Sequence, residues 1–447
     1  MHFLAFHWTD STKTEKCTVR WTHGIRFRKG TSVNSMAQNT QLNKKMWYVN
    51  YLTVLFLLIS GMKALSGECV TFFSDRLIHD LSFSTSQYSS MTSLYYLSYG
   101  ISTIVVGILT GHSHKRKAWL FPMTLAVGII SVLASMARNY TGLALCRLGT
   151  GVFTGSSQAI MLNIIAKNLV REDYGVRNGI IGGGSTIISG ILGPVILAAL
   201  ATYYAWNASF FVTGVALIVL AFLVFFTVKE VHCEVRRTGS GNRLVVMGKA
   251  VRELFGNREF VLCFVIGLLE TTANLCLSVF LPLYYSEVMG FDTVRKGWFM
   301  SLRGMCYIPV GLLVPLLADR FKIKYVMAGT FVCAVIAPAS TFLFSGTMLS
   351  AYLLAVFGSW AGVTVTLFTY MIPRIALPES LYMQGSGLIL GVAVLFGGSL
   401  APQIMSALIE SGWKIEYVLG LCALLFVSCV FLSLLIHAQS RKKLEKA

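Results

Sequence analysis

Ser82-Phe83-Ser84-Thr85 and Gly290-Phe291-Asp292-Thr293 stand 208 residues apart, and the same offset carries Gly111-His112 onto Asp319-Arg320, Gly190 onto Gly398 and Pro194 onto Pro402. One ungapped register running from residue 82 to residue 194 marks an internal duplication. The chain reads as two copies of one unit, joined by the polar stretch 229–258.

Each copy is built for lipid. Of 447 residues, 55% are hydrophobic and 13% are charged, and the mean hydropathy is +0.68. A soluble domain carries about a quarter charged residues, so a water-soluble fold is excluded. About 20 apolar residues in a helix cross the hydrocarbon core. Such runs cover 47–73, 88–110, 118–137, 141–166, 177–203 and 207–228, then 259–285, 297–318, 325–345, 347–372, 381–410 and 413–437. The expected fold is an all-α membrane protein with twelve transmembrane helices arranged as two pseudo-symmetric six-helix bundles. Its expected parts are a basic segment 1–46, a bundle 47–228, a central loop 229–258, a second bundle 259–437 and a tail 438–447.

The formal charge of +18 does not point to nucleic acid, because of where it lies. Of the 37 Lys and Arg, 29 fall on the two termini and alternate loops, five fall on the opposite loops (Arg76, Arg138, Arg295, Lys296, Lys414), and Lys63, Arg147 and Arg303 fall inside spans. Basic residues are retained on the cytoplasmic side, so both termini are expected there, in a cell membrane. The ten cysteines are scattered singly, without metal-knuckle or redox spacing. No nucleotide-binding glycine loop is present, and neither cofactor nor metal is expected. Residues 1–35 precede a second methionine, Met36, and lack a signal-peptide core.

Several motifs resemble those of the major facilitator superfamily across residues 47–437. The loop after the second span reads Gly107-Ile108-Leu109-Thr110-Gly111-His112-Ser113-His114-Lys115-Arg116, with Gly111 where that family has Asp. Its counterpart, Pro315-Leu316-Leu317-Ala318-Asp319-Arg320, keeps the Asp-Arg pair. The resemblance implies a conformational latch formed by Gly107, Arg116, Asp319 and Arg320. Arg147 with Gly151 and Gly155 is similar to the family's fourth-helix motif. Gly190-Ile191-Leu192-Gly193-Pro194 is similar to its antiporter motif, although Val195, Ile196 and Leu197 replace the small residues that follow.

A charge near the bilayer centre costs at least about 2.5–3.5 kcal/mol, so Lys63, Glu68, Arg147, Glu270 and Arg303 each require a partner or a wet chamber. The repeat sets Lys63 level with Thr271, beside Glu270, and the two are expected either to pair or to face one solute. Glu270, Asn274 and Ser278 recur at four-residue steps, as do Arg147, Gly151, Thr154 and Gln158, and both stripes are expected to form chamber wall. The alternative for Arg147 is a structural anchor. Arg303 is the repeat counterpart of Tyr95, which with Tyr88 and Tyr99 is placed at the chamber mouth. Glu68 lies about 140° around its helix from Lys63.

These readings give a secondary active transporter, not an enzyme, moving a small-molecule solute by alternating access. Three cations against two acids favour an organic anion, with a proton, or another ion, coupled through Glu270 or Glu68. Export of lipophilic cations is the alternative, and a non-transporting nutrient sensor is the alternative of another class. A monomer in the bilayer is expected.

Overall fold

The computed structural model describes residues 32–110, 116–168, 180–228 and 251–437, and the described residues from Val49 onward form one compact unit. Every element among them is helical. The membrane helices are α1 (Ser32–Phe72), α2 (Thr85–Thr110), α3 (Arg116–Met136), α4 (Tyr140–Asn168), α5 (Ile180–Tyr203) and α6 (Asn207–Thr227). The second half has α7 (Arg258–Val288), α8 (Thr293–Arg320), α9 (Ile323–Leu343), α10 (Met348–Thr366), α11 (Glu379–Glu410) and α12 (Ile415–Leu434).

Among the described residues ten of the twelve carry a continuous apolar window, and α2 and α4 are rich in hydroxyl side chains. Many of their hydroxyls bond carbonyls of their own helices, which is how such side chains survive in lipid. Ser98 Oγ donates to the Leu94 carbonyl at 2.7 Å, Thr103 Oγ1 to Tyr99 at 2.7 Å and Ser156 Oγ to Val152 at 2.7 Å.

The duplication is visible in the packing. In the first half α2 lies on α4, α3 on α6 and α3 on α4; in the second, α8 lies on α10, α9 on α12 and α9 on α10. The halves meet along α2 with α11 and along α5 with α8. The 208-residue offset converts one of these contacts into the other. Gly398 abuts the ring of Tyr96, and the counterparts of those two residues, Gly190 and Gly304, abut each other. Within the halves, Gly151 and Gly155 sit against Tyr95 and Tyr99, while Gly358 and Gly362 sit against Arg303 and Tyr307. The α4 register is thus shifted by one residue relative to α10. At these positions a Cβ would meet a neighbouring helix, so glycine sets how closely the helices approach.

Two features depart from the sequence expectations. Helix α1 begins at Ser32, earlier than the span starting at 47. Three π-helical turns, Ile187–Leu192, Tyr284–Val288 and Leu367–Met371, interrupt the α geometry. Each lies within six residues of a proline, Pro194, Pro282 or Pro373. Pro194 and Pro373 lack the N–H that would bond the carbonyls of Gly190 and Thr369 inside the turns before them, and the chain widens there; Pro282 precedes its turn and does not account for it. The carbonyl of Ile191, inside the first such turn, accepts from Ser301 Oγ of α8 at 2.7 Å. That bond ties the two halves together.

Candidate functional site

The side chains that join the halves cluster at the end of the bundle where α1 ends and α2 and α8 begin. A short helix, Ser74–Asp80, follows α1 and presents Asp75. Lys296, in the first turn of α8, donates to Asp75 Oδ1 at 2.6 Å and to Ser286 Oγ at 3.1 Å, and its Nζ lies 5.2 Å from the ring centroid of Phe72. The lysine side chain is 1% exposed. Beside this pair, Arg76 donates to Thr293 Oγ1 at 2.9 Å, and the Ser86 N–H donates to Glu410 Oε1 at 2.8 Å. Tyr88 Oη donates to the Val279 carbonyl at 2.9 Å, with its ring edge-on to Phe280. Tyr88 and Lys296 are counterparts under the 208-residue offset, as are Phe280 and Phe72. Each half therefore sends one polar side chain across onto an aromatic ring of the other, and the distal mouth is closed by two related contacts.

Deeper in the molecule the predicted intramembrane charges separate into distinct sites. Lys63 is buried and donates to Ser157 Oγ at 2.9 Å and Gln158 Oε1 at 3.4 Å, both on α4. Its partners are neutral oxygens, so the direct Lys63–Glu270 pair is not formed. Glu270 is fully buried; its Oε2 accepts from the Thr271 hydroxyl at 3.0 Å, and its Oε1 has no hydrogen-bond partner.

Arg147 is buried on α4, donates from Nη1 to the Gly67 carbonyl of α1 at 3.3 Å, and places its guanidinium 4.5 Å from the ring centroid of Tyr95. Its Nε is enclosed without a hydrogen-bond partner. Tyr95 in turn stacks on Tyr99 at 6.1 Å. Arg303 Nη2 donates to Asn274 Oδ1 at 3.1 Å and Ser278 Oγ at 3.2 Å, both on α7. Glu68 is half-buried, and its Oε2 accepts from the Thr71 hydroxyl at 2.8 Å.

The polar stripe of α7 is thus divided. Asn274 and Ser278 hold Arg303, and Glu270 sits apart with Thr271. The α4 stripe is divided as well: Gly151 packs against the α2 backbone rather than lining a chamber, and Gln158 meets Lys63. Of the latch residues, Arg320 is exposed, and the side chains of Gly107, Arg116 and Asp319 lie outside the described residues. Sequence reading assigned Arg76 and Lys296 to loops and missed the Asp75–Lys296 pair. The available signal was the repeat itself, since Lys296 is the counterpart of Tyr88.

The Major Facilitator Superfamily model matches residues 53–402. The chain belongs to that superfamily, a family of multi-pass membrane transporters. It is 22% identical to the hexuronate transporter of Escherichia coli (strain K12) over 384 residues, covering 79% of this chain and 88% of that one. It is also 23% identical to the membrane sensor protein UhpC of the same organism over 147 residues, which cover 33% of each chain. The chain therefore spans a third of the length of that relative. Among solved structures, a bacterial homologue of the human lysosomal transporter Spinster, crystallised inward-facing and unoccupied, superposes with a TM-score of 0.72 at 14% identity, covering 87% of this chain and 96% of that one. That likeness establishes the fold.

Proposed function

We infer that this protein is a secondary transporter that carries a small organic anion by alternating access, with proton coupling through Glu270 or Glu68. The observation that carries the reading is the state of three interior cations. Lys63, Arg147 and Arg303 are held by neutral oxygens, and none forms an ion pair with a described carboxylate. A fold that spends at least about 2.5–3.5 kcal/mol on each intramembrane cation without supplying its counter-ion has room for an anion from outside. The hexuronate transporter, a protein named for a sugar acid, is a relative consistent with that class.

Two halves related by symmetry and closed at one end suit rocking about a central site. With basic residues retained in the cytoplasm, the distal mouth is the outer one, both termini are inside, and the bundles extend over 47–228 and 259–437 around the loop 229–258. One copy of this unit, in the cell membrane, contains the whole pathway. Glu270 supplies the coupling group because an enclosed carboxyl with no cation beside it can pass through the cycle in neutral form.

The test is uptake of labelled organic acids by proteoliposomes under an imposed pH gradient. Native protein accumulates the acid; Glu270→Gln keeps exchange and loses gradient-driven accumulation. Accumulation that survives intact in Glu270→Gln and in Glu68→Gln removes the coupling assignment. Transport of lipophilic cations with no transport of acids replaces the anion reading with drug efflux, and binding without any transport replaces it with a sensor.

A further inference from the structure

The two seams between the halves run in one register. Along α2 and α11 the Ser86 N–H meets Glu410, Tyr96 meets Gly398, and a Cβ at Gly100 would meet Leu395 at 3.1 Å. Along α8 and α5 the counterparts of Tyr96 and Gly398, which are Gly304 and Gly190, meet in the same way. Each step away from the distal end on one helix is matched by a step on its antiparallel partner. The contacts that join the halves, Asp75–Lys296, Arg76–Thr293, Ser86–Glu410, Tyr88–Val279 and Ser301–Ile191, all lie on the distal side of Gly190 and Gly398.

On the other side, the same helices carry a second pair of repeat-related glycines that touch nothing. Gly183 on α5 and Gly391 on α11 are 208 residues apart, and a Cβ at either would find open space within 4 Å. Seven residues make about two turns, so Gly391 presents the same face of α11 as Gly398. One further step of four from Gly100 and Leu395 sets Ile104 of α2 opposite Gly391, and the repeat then sets Leu312 of α8 opposite Gly183. Ile104 and Leu312 are themselves counterparts, and both are exposed. An exposed apolar side chain is ordinary, and a lone glycine only weakens its helix. Here both halves carry a bare glycine at one related place, each opposed in register by a large aliphatic side chain. That is a matched arrangement which this conformation leaves unused.

We propose that Gly183 and Gly391 are seats for the reverse closure: when the distal mouth opens, Ile104 packs onto Gly391 and Leu312 onto Gly183, carrying each seam about two turns along the same helices. This rests on the alternating-access reading above and adds to it the residues that seal the opposite mouth. Glycine suits the seat because it lets the opposing helix approach closely. The contact is apolar, so it forms and breaks without leaving a polar group unpaired.

The experiment is cross-linking of cysteine pairs in the full-length protein in proteoliposomes, with copper phenanthroline as oxidant. Linked peptides are identified by mass spectrometry, which separates them from products of the native cysteines. Ile104→Cys with Gly391→Cys and Leu312→Cys with Gly183→Cys report the seats, and Ser86→Cys with Glu410→Cys reports the distal end. Each pair is compared with and without Asp75→Asn, which removes the buried partner of Lys296. Both seat pairs link about tenfold faster or more with Asp75→Asn, and the distal pair links more slowly. Gly183→Leu fills its seat, so in the Asp75→Asn background it restores fast linking of the distal pair. Gly329→Leu, at an equally open glycine on α9 away from both seams, does not. A distal pair that parts with Asp75→Asn while neither seat pair links overturns the seats and leaves alternating access standing. Seat pairs that never link, together with a distal pair indifferent to Asp75→Asn, overturn both.

Discussion

Replacing Asp75 by Asn tests the distal closure. In the native protein Lys296 is 1% exposed and Asp75 19% exposed, with 2.6 Å between charged atoms. Asp75→Asn leaves an ammonium enclosed with Ser286 Oγ and the Phe72 ring as its remaining contacts. Removing one partner of a buried pair costs about 3–5 kcal/mol. The ring contact retains about 1 kcal/mol of that. The net loss is about 2–4 kcal/mol of closed-state stability, and at about 1.4 kcal/mol per factor of ten the balance moves toward the open mouth by about 30-fold to 700-fold. Lys296→Met behaves differently. Its apolar stem keeps contact with Phe72, and Asp75, the more exposed partner, hydrates where it stands, so the shift is about tenfold or less. The reporter is Ser74→Cys, a buried position beside Asp75, treated in right-side-out vesicles with a membrane-impermeant maleimide. Labelling is slow in the Ser74→Cys parent, much faster with Asp75→Asn, and only modestly faster with Lys296→Met. Equal labelling in the parent and Asp75→Asn, or faster labelling in Lys296→Met than in Asp75→Asn, refutes the reasoning.

Gly304→Ala and Gly398→Ala probe the two related seams. A Cβ at 304 would overlap the carbonyl of Gly190, which is backbone, and a Cβ at 398 meets Tyr96 at Cγ (2.5 Å) and Cβ (2.7 Å), atoms close to the α2 backbone that turning the ring does not clear. Overpacking costs about 1–3 kcal/mol, so thermal unfolding falls in both variants. Lys63→Met removes an enclosed charge whose burial costs about 2.5–3.5 kcal/mol and two bonds to neutral oxygens, so thermal stability is unchanged or raised while organic-acid uptake is lost. Uptake at the native rate by Lys63→Met removes that lysine from the pathway.

Much of this architecture could be read before any coordinates. Hydropathy located all twelve spans, because a lipid-crossing helix must be apolar over most of its length, and the duplication paired them into two sets of six. The same 208-residue register then reappears as a physical contact, with Tyr96 on Gly398 and Gly304 on Gly190. The side chains with chemistry were legible as types and depths, since an intramembrane Lys, Arg or Glu is conspicuous. Their partners were not. Lys63 was matched by depth to Glu270 and is held by Ser157 and Gln158, because depth along a helix says nothing of direction around it. Arg147 spends its bond on a backbone carbonyl, an acceptor that every residue carries and no sequence motif marks. Gly151 and Gly155 share a face with Thr154 and Gln158, yet they serve the approach of α2 rather than a chamber wall. Lys296 was counted in an outer loop because the apolar span begins at 297, and its burial follows from Asp75 reaching over from the other half.

The central claim is a carrier that moves a small organic anion by alternating access of its two halves. Counterflow in proteoliposomes, with no ion gradient imposed, tests it most directly. Unlabelled organic acid loaded inside accelerates entry of the same labelled acid, and Arg303→Gln abolishes the acceleration. Entry of the acid at one rate whether the vesicles are empty or loaded contradicts the account.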